Sequence, residues 1–426
     1  MQSDLTIDAV VPGLSPTAEK AVAKDVTAEA IAQVTNERLH GLDALRAGAL
    51  MLGVLLHATM SFLPDAKFFW VVSDNQKTEL LGPVFFIIHL FRMPLFFLLA
   101  GYFAHLALQK KGLAGFIRDR FKRIVLPLLV GWPVIFTAIV AAIVLAAWVR
   151  NGGSLPKKMP PSPEFTANSF PLAHLWFLYM LTLLYLVYLS VWACCKRLGI
   201  VPHVKKFADF LMPTLTGWTG PLLLALPVAL ALFYTPYWVS WFGVPTPDQS
   251  LYPGRAAWVS FGMAFGFGWM LQQSPATLAQ WQRRWVWHLG MAALLAGVCL
   301  YLTSLAPQLV PAVHDDSKLI YACLYAAAAW NFCFGLTGLA LKFMRHASLT
   351  VRYLADASYW IYLVHLPLVM VFQTLVSRGE WHWAFKLAAV LMATLAIAIF
   401  SYHYLVRFTF IGKVLNGRHI VKSARA

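Results

Sequence analysis

Residues 80–107 read LLGPVFFIIHLFRMPLFFLLAGYFAHLA, a long apolar stretch in which His89 and Arg92 stand out. As a helix rising about 1.5 Å per residue, it is long enough to cross a hydrocarbon core of roughly 30 Å. Its apolar residues do not alternate as a strand's would. In lipid, a single segment satisfies all its backbone groups only as a helix. Similar runs recur along the chain at 42–63, 123–149, 172–193, 214–233, 254–271, 286–305, 319–341, 354–376 and 384–406. Together they predict an all-α polytopic membrane protein, a bundle of about ten transmembrane helices. The run at 254–271 is short and carries Gly262, Gly266 and Gly268, a composition suited to close helix packing.

Composition agrees. Of 426 residues, 60% are hydrophobic and only 12% charged, about half the roughly 25% charged share of an average soluble domain. Mean hydropathy is +0.65. Such a chain lacks the charged surface that a soluble protein of this size needs.

Lys and Arg number 34 against 18 Asp and Glu, a net charge of +16. This excess reads as cytoplasmic-loop bias rather than a nucleic-acid surface. With the N-terminus inside, the inner connections hold Lys110, Lys111, Arg118, Arg120, Lys122 and Arg123, then Lys196, Arg197, Lys205 and Lys206. Further inner positions are Arg283, Arg284, Lys342, Arg345, Arg352, Arg407, Lys413, Arg418, Lys422 and Arg425. Outer connections are poorer, with Lys67, Lys77, Arg150, Lys157, Lys158, Arg255, Lys318, Arg378 and Lys386. Both termini are therefore expected in the cytoplasm.

Residues 1–38 hold Asp4, Asp8, Glu19, Asp25, Glu29 and Glu37 and read as a flexible cytoplasmic tail. They lack a basic start followed by an apolar core, so insertion is expected to rely on the first span. Residues 411–426 read as a basic cytoplasmic tail. Cys194, Cys195, Cys299, Cys323 and Cys333 form no C-x-x-C pair and read as small apolar residues.

Ionisable side chains at membrane depth are expensive, which makes each a functional candidate. They are Asp43, Arg46 and His57 in the first run, His89 and Arg92 in the second, and His365 in the ninth. Arg46 and His57 lie eleven residues apart, close to three helical turns, so they share a face roughly 16 Å apart along the axis. Asp43 stands at i−3 from Arg46 and can pair with it. The second run is antiparallel to the first, which brings Arg92 to the depth of His57, and His89 shares the face of Arg92. The alternative is a satisfied interhelical hydrogen-bond cluster, above all for His365. The 13 histidines are scattered without an H-E-x-x-H or H-x-x-E-H pair, so no metal site is expected.

At this point the chain is similar to a known family. Arg38 to Arg46 (RLHGLDALR), followed by His57, resembles the opening of the membrane-bound acyltransferase-3 family, with its arginine, ten residues and histidine. His89 to Phe103 (HLFRMPLFFLLAGYF) resembles that family's second-span signature, especially in its glucan-biosynthesis branch. Arg120-Phe-Lys-Arg123 with Leu126-Pro127, His174-Leu-Trp176-Phe-Leu178, and Ser358-Tyr-Trp-Ile-Tyr362-Leu-Val-His365 match further signatures. The matches cover 38–410, which marks 39–410 as a transmembrane acyltransferase domain.

The resemblance implies an O-acyltransferase of the bacterial inner membrane. Its donor would be cytoplasmic acyl-CoA, most simply succinyl-CoA, as co-substrate with no bound cofactor. Its acceptor would be a hydroxyl of an osmoregulated periplasmic glucan. On this reading His57 is the general base, since imidazole takes a hydroxyl proton near neutral pH. Arg92 stabilises the oxyanion, and Arg46, paired to Asp43, meets the thioester arm. Arg118, Arg120, Lys122 and Arg123 suit the CoA phosphates, although a topology signal would place basic groups there anyway. His174 and Trp176 face the acceptor, and His89, Tyr362 and His365 complete the polar interior. Direct transfer is preferred, as no Ser or Cys has an evident base partner. O-acetylation of another exported polysaccharide, or transport of an anionic or acylated sugar, are the competing functions. Homo-oligomerisation is compatible with the sequence.

Overall fold

The computed structural model describes residues 40–156, 164–274, 277–344 and 348–416. The acidic segment 1–38, Lys157, Lys158, Arg345 and the basic residues after 416 lie outside the described residues. Among the described residues the secondary structure is helical, without strand.

Helix α1 runs His40–Phe62. After a connection of 18 residues (63–80) comes α2 (Leu81–Arg120), which passes through a π-helical turn at Phe121–Val125 into α3 (Leu126–Arg150). This stretch of 70 residues would measure about 105 Å if straight, over three times the hydrocarbon thickness. It is not straight. Gly112 sits at φ 66°, ψ 176°, a conformation open to glycine because it has no Cβ, and there the helix breaks.

A 3₁₀ turn at Ala173–Leu175 leads into α4 (Trp176–Arg197), followed by α5 (Val201–Leu215), α6 (Gly220–Phe233) and α7 (Arg255–Gln273). Then come α8 (Leu278–Thr303), α9 (Asp316–Phe343) and α10 (Leu349–Val376). Helix α11 (Trp383–Ser401) ends in a second π-helical turn, Tyr402–Val406, before the short α12 (Phe410–Asn416).

Every apolar run falls on a helix. Seven helical stretches among the described residues are long and apolar enough to cross a membrane, or eight when one bent pair counts as a single span. The difference from about ten has physical causes. The stretch Leu81–Arg150 carries two of the runs across the break at Gly112. The run at 214–233 is broken, with α5 and α6 meeting at 105°. The 14 residues of α6 reach only about 21 Å. Glycine-rich α7, 19 residues long, is not among the seven.

The centre of the bundle is α9. Ala326, Ala327, Ala328, Ala329 and Trp330 are all buried on it, the all-round burial expected of a central helix. It packs most extensively against α8 and also against α6 and α2. Helices α3 and α11 are peripheral, with Leu129, Val130 and Val134 exposed on one and Phe385, Met392 and Phe400 on the other. In lipid such side chains face acyl tails. Among the cysteines, Cys299 and Cys333 are buried as expected, whereas Cys194 is exposed. Trp238 and Trp241, on the connection after α6, are buried core residues.

The pair α2–α7 is set by reciprocal backbone contacts. A Cβ on Gly101 would come within 1.9 Å of the Phe265 carbonyl oxygen, and one on Gly268 within 1.9 Å of the Leu98 oxygen. Neither neighbour is a side chain that can swing away, so small residues are obligatory at this crossing. Gly268→Ala is expected to lower the unfolding temperature in detergent sharply and cut the yield of folded protein. Gly290→Ala, where a Cβ meets nothing within 4 Å, should leave both unchanged.

Candidate active site

Two cavities open inside the bundle, named inner and outer after the expected orientation. The inner one, about 390 Å³, is lined by Arg46 of α1, Lys110, Lys111, Arg120 and Arg123 near the Gly112 break, and Leu415 and Asn416 of α12. The outer one, about 990 Å³, is lined by His57, His89, Arg92, His174, Trp176 and His365. Leu50, Phe96, Phe177 and Tyr362 line both, so they form the partition between them.

Helix geometry gathers the outer groups. His57 stands one turn beyond Gly53 on α1, and a Cβ at Gly53 would lie 2.5 Å from Nη1 of Arg92. The guanidinium therefore rests against the α1 backbone just below the imidazole. Arg92 interacts electrostatically with His57, His89, His174 and His365. Among the described residues no carboxylate lies within ion-pair distance of it, and its Nε has no hydrogen-bond partner. His89 stacks on Phe85 at 5.5 Å between ring centres.

Three imidazoles form a row, with His57 5.3 Å from His365 and His365 5.1 Å from His174. Backbone carbonyls set two of their tautomers, because a carbonyl only accepts. His365 donates from Nδ1 to Tyr362 O at 2.7 Å, and His174 donates from Nε2 to Leu363 O at 3.1 Å. Nδ1 of both His57 and His174 is buried without a partner. His174 is aimed by its neighbour: Ala173 adopts φ 47°, a left-handed conformation that costs a non-glycine residue energy. The Ala173 N–H donates to Asp248 O at 3.0 Å. Tyr362 closes the turn by donating to His174 O at 2.7 Å. Trp176 packs on Phe261 at 5.4 Å. Asp248 also lines the outer cavity, and burial pushes its carboxyl above the usual carboxylate range against an opposing Thr246 hydrogen bond.

In the inner cavity Arg46 pairs with Asp43 at 3.2 Å, at the expected i, i+3 spacing. Asp119 draws the basic cluster together, 2.5 Å from Lys111 and 2.6 Å from Arg120. Arg123, turned inward on its π-helical turn, donates to Asn416 O at 2.5 Å. Of the basic residues expected to meet phosphate, Arg120 and Arg123 line the cavity. Arg118 and Lys122 are exposed and do not, while Lys110 and Lys111 do. Among the described residues no three His, Cys, Asp or Glu side chains could hold a metal ion.

A family model described as Acyltransferase domain, of the acyltransferase-3 type, matches residues 39–403. The chain belongs to the acyltransferase-3 family. Two relatives named Glucans biosynthesis protein C, from Escherichia coli strains SMS-3-5 / SECEC and K12, are each 23% identical over 393 residues. Each alignment covers 89% of this chain and 96% of the relative. No solved structure matches.

The acyltransferase thus brings His57, Arg92, His89, His174, Trp176 and His365 to one cavity, and Arg46, Arg120 and Arg123 to the other, with Tyr362 between. Sequence reasoning missed Asp119, an acidic residue inside a basic run whose signal was visible. It also missed Trp70 and Gln373, which touch His57. Gly53→Ala tests the packing that fixes Arg92. The clashing atom is the far end of a flexible side chain, so the protein should fold with little change in unfolding temperature. A guanidinium displaced by an ångström should cut the acyl-transfer rate by about a hundredfold.

Proposed function

We propose that this acyltransferase resides in the bacterial inner membrane and moves a succinyl group from cytoplasmic acyl-CoA to a hydroxyl of a periplasmic glucan. The observation that carries this reading is the pair of cavities back to back, one basic and one rich in imidazole, sharing a thin wall. Acyl-CoA enters the inner cavity with its phosphates near Lys110, Lys111, Arg120 and Arg123. Its pantetheine arm runs past Arg46 and brings the thioester to the wall at Tyr362. The glucan hydroxyl enters the outer cavity, past His174 and Trp176.

His57 then takes the hydroxyl proton as the oxygen attacks the thioester carbonyl. The carbon–oxygen bond forms and the carbonyl oxygen gains negative charge, which Arg92 meets with its guanidinium. Collapse breaks the carbon–sulfur bond. The CoA thiolate leaves with the proton that the His57 imidazolium returns, so no net proton is released. Lys67, which also lines the outer cavity, offers a cation for the distal carboxylate of a succinyl chain and so supports succinyl over acetyl as the transferred group. The similarity to proteins named for glucan biosynthesis supports the acceptor.

The topology in this proposal has about ten spans with both termini cytoplasmic. What supports it is that Arg46, near the start of α1, and Leu415 and Asn416, at the end of α12, line the same cavity as the basic residues around the Gly112 break. A fluorescent protein that matures only in the cytoplasm, fused after residue 426, should fluoresce, and alkaline phosphatase at the same point should be inactive.

The reaction is tested with purified protein in nanodiscs, supplied with succinyl-CoA or acetyl-CoA and a linear or cyclic glucan. Glucan-dependent CoA release and a succinyl gain in glucan mass are expected. His57→Ala should abolish both while keeping the wild-type unfolding temperature. A gain from acetyl-CoA alone would change the donor. Absence of release from either donor, with His57→Ala still supporting sugar movement in vesicles, would favour transport.

A further inference from the structure

The connection between α1 and α2 is stitched down rather than left loose. Lys386, fully buried on α11, binds Asp74 at 2.7 Å and Asn75 at 2.6 Å. The Asn75 side chain donates to Gly379 O at 3.0 Å, and Lys77 donates to Ser61 O at 2.8 Å. Breaking a buried ion pair by removing one partner is strongly destabilising, so this connection holds its shape over the outer cavity.

Within it, Trp70 lies parallel to His57, with ring centres 5.7 Å apart and planes 19° apart. Its indole N–H donates to Gln373 Oε1 at 2.8 Å. Gln373 is wholly buried on α10, and its Nε2 donates to His57 O at 2.9 Å and Ala58 O at 3.1 Å. The two carbonyls can only accept, so the amide nitrogen must face them and the amide oxygen must face the indole. One side chain therefore indexes both the end of α1 that carries the imidazole and the ring beside it.

Trp70 is not sealed in the core. It is half-buried and lines the outer cavity, as does the exposed Phe68 beside it. An aromatic side chain fixed in position, lining a polar cavity and next to a base, suits the C–H face of a pyranose. Such stacking leaves the sugar hydroxyls at the ring's rim, pointing along the platform toward its edges.

We infer that Trp70 is the stacking platform for the acceptor glucosyl unit and that Gln373 is the positioning residue holding platform and base in register. This inference rests on the proposed transfer to a glucan, and it specifies how the acceptor is held.

Steady-state kinetics and direct binding test it together. Trp70→Ala should raise KM for the glucan about tenfold while leaving KM for acyl-CoA unchanged. Trp70→Phe, which keeps an aromatic face but loses the hydrogen bond, should recover most of the glucan affinity. Gln373→Leu should lower kcat with either glucan, and Gln373→Glu, which cannot donate to both carbonyls, should not rescue it. A purely structural role would lower unfolding temperature and yield but leave both KM values alone. Calorimetric titration of a glucooligosaccharide into wild type and Trp70→Ala, without acyl-CoA, separates the two ideas. Trp70-dependent binding by a protein that transfers nothing would sink the transfer reaction and keep the platform. Glucan affinity equal in wild type and Trp70→Ala, or absent from wild type, would overturn the platform whatever the turnover.

Discussion

A guanidinium in the interior of a membrane protein is the constraint around which the rest is arranged. Arg92 carries a charge that apolar surroundings penalise by several kcal/mol, yet no described carboxylate pairs with it. Its neighbours are imidazoles, a phenol and the bare backbone at Gly53. A carboxylate would have satisfied the charge permanently and removed it from any chemistry. On the proposed mechanism, leaving it unpaired keeps a strong donor ready for a negative charge that exists only when substrate is present, and its cost falls on the fold. The reciprocal glycine contacts of α2 with α7 anchor the helix that carries it.

The same logic explains the contrast between the cavities. In the inner one, positive charge is partly answered: Asp43 holds Arg46, Asp119 holds Lys111 and Arg120, and the end of α12 holds Arg123. Arg46 and Lys111 lie close to solvent, where pairing costs little and orders them. Both π-helical turns meet α12 there, since Arg123 lies on the first and Tyr402, on the second, accepts from Asn416 at 3.1 Å. Helix α12, where the described residues end, is thus part of the cavity wall.

The helical class, the position of every apolar run and the gathering of His57 with Arg92 could be read from the sequence, because each rests on one-dimensional spacing. Eleven residues make nearly whole turns, and antiparallel neighbours put equal counts at equal depth. The 105° break between α5 and α6 was not legible. An apolar run of the right length has the same composition whether it is straight or bent, and the bend shows only when both helices are packed. Trp70 and Gln373 were hidden for another reason. One sits on a short connection and the other is a neutral residue on an apolar helix, about three hundred positions away in the chain. Their link to His57 is a long-range hydrogen-bond pattern with no local signature. Asp119 was visible but was absorbed into a basic run whose topological meaning was already sufficient.

The wall shared by the two cavities also fits what the proposed transfer across a membrane demands. An open passage from basic mouth to imidazole row would admit water to the thioester and let ions through the bilayer. Leu50, Phe96 and Phe177 are apolar and fill the gap, while Tyr362 spends its hydroxyl on His174 O. On the proposed reaction only the acyl group needs to pass this point, because the CoA stays below and the sugar above. The partition can then stay dry and thin, and the base need reach just one atom beyond it. A transporter has the opposite requirement, since its wall must open wide enough for the whole solute. Side chains pinned by backbone hydrogen bonds, as Tyr362, His365 and His174 are, resist that opening and suit a site that exchanges one small group across a fixed barrier.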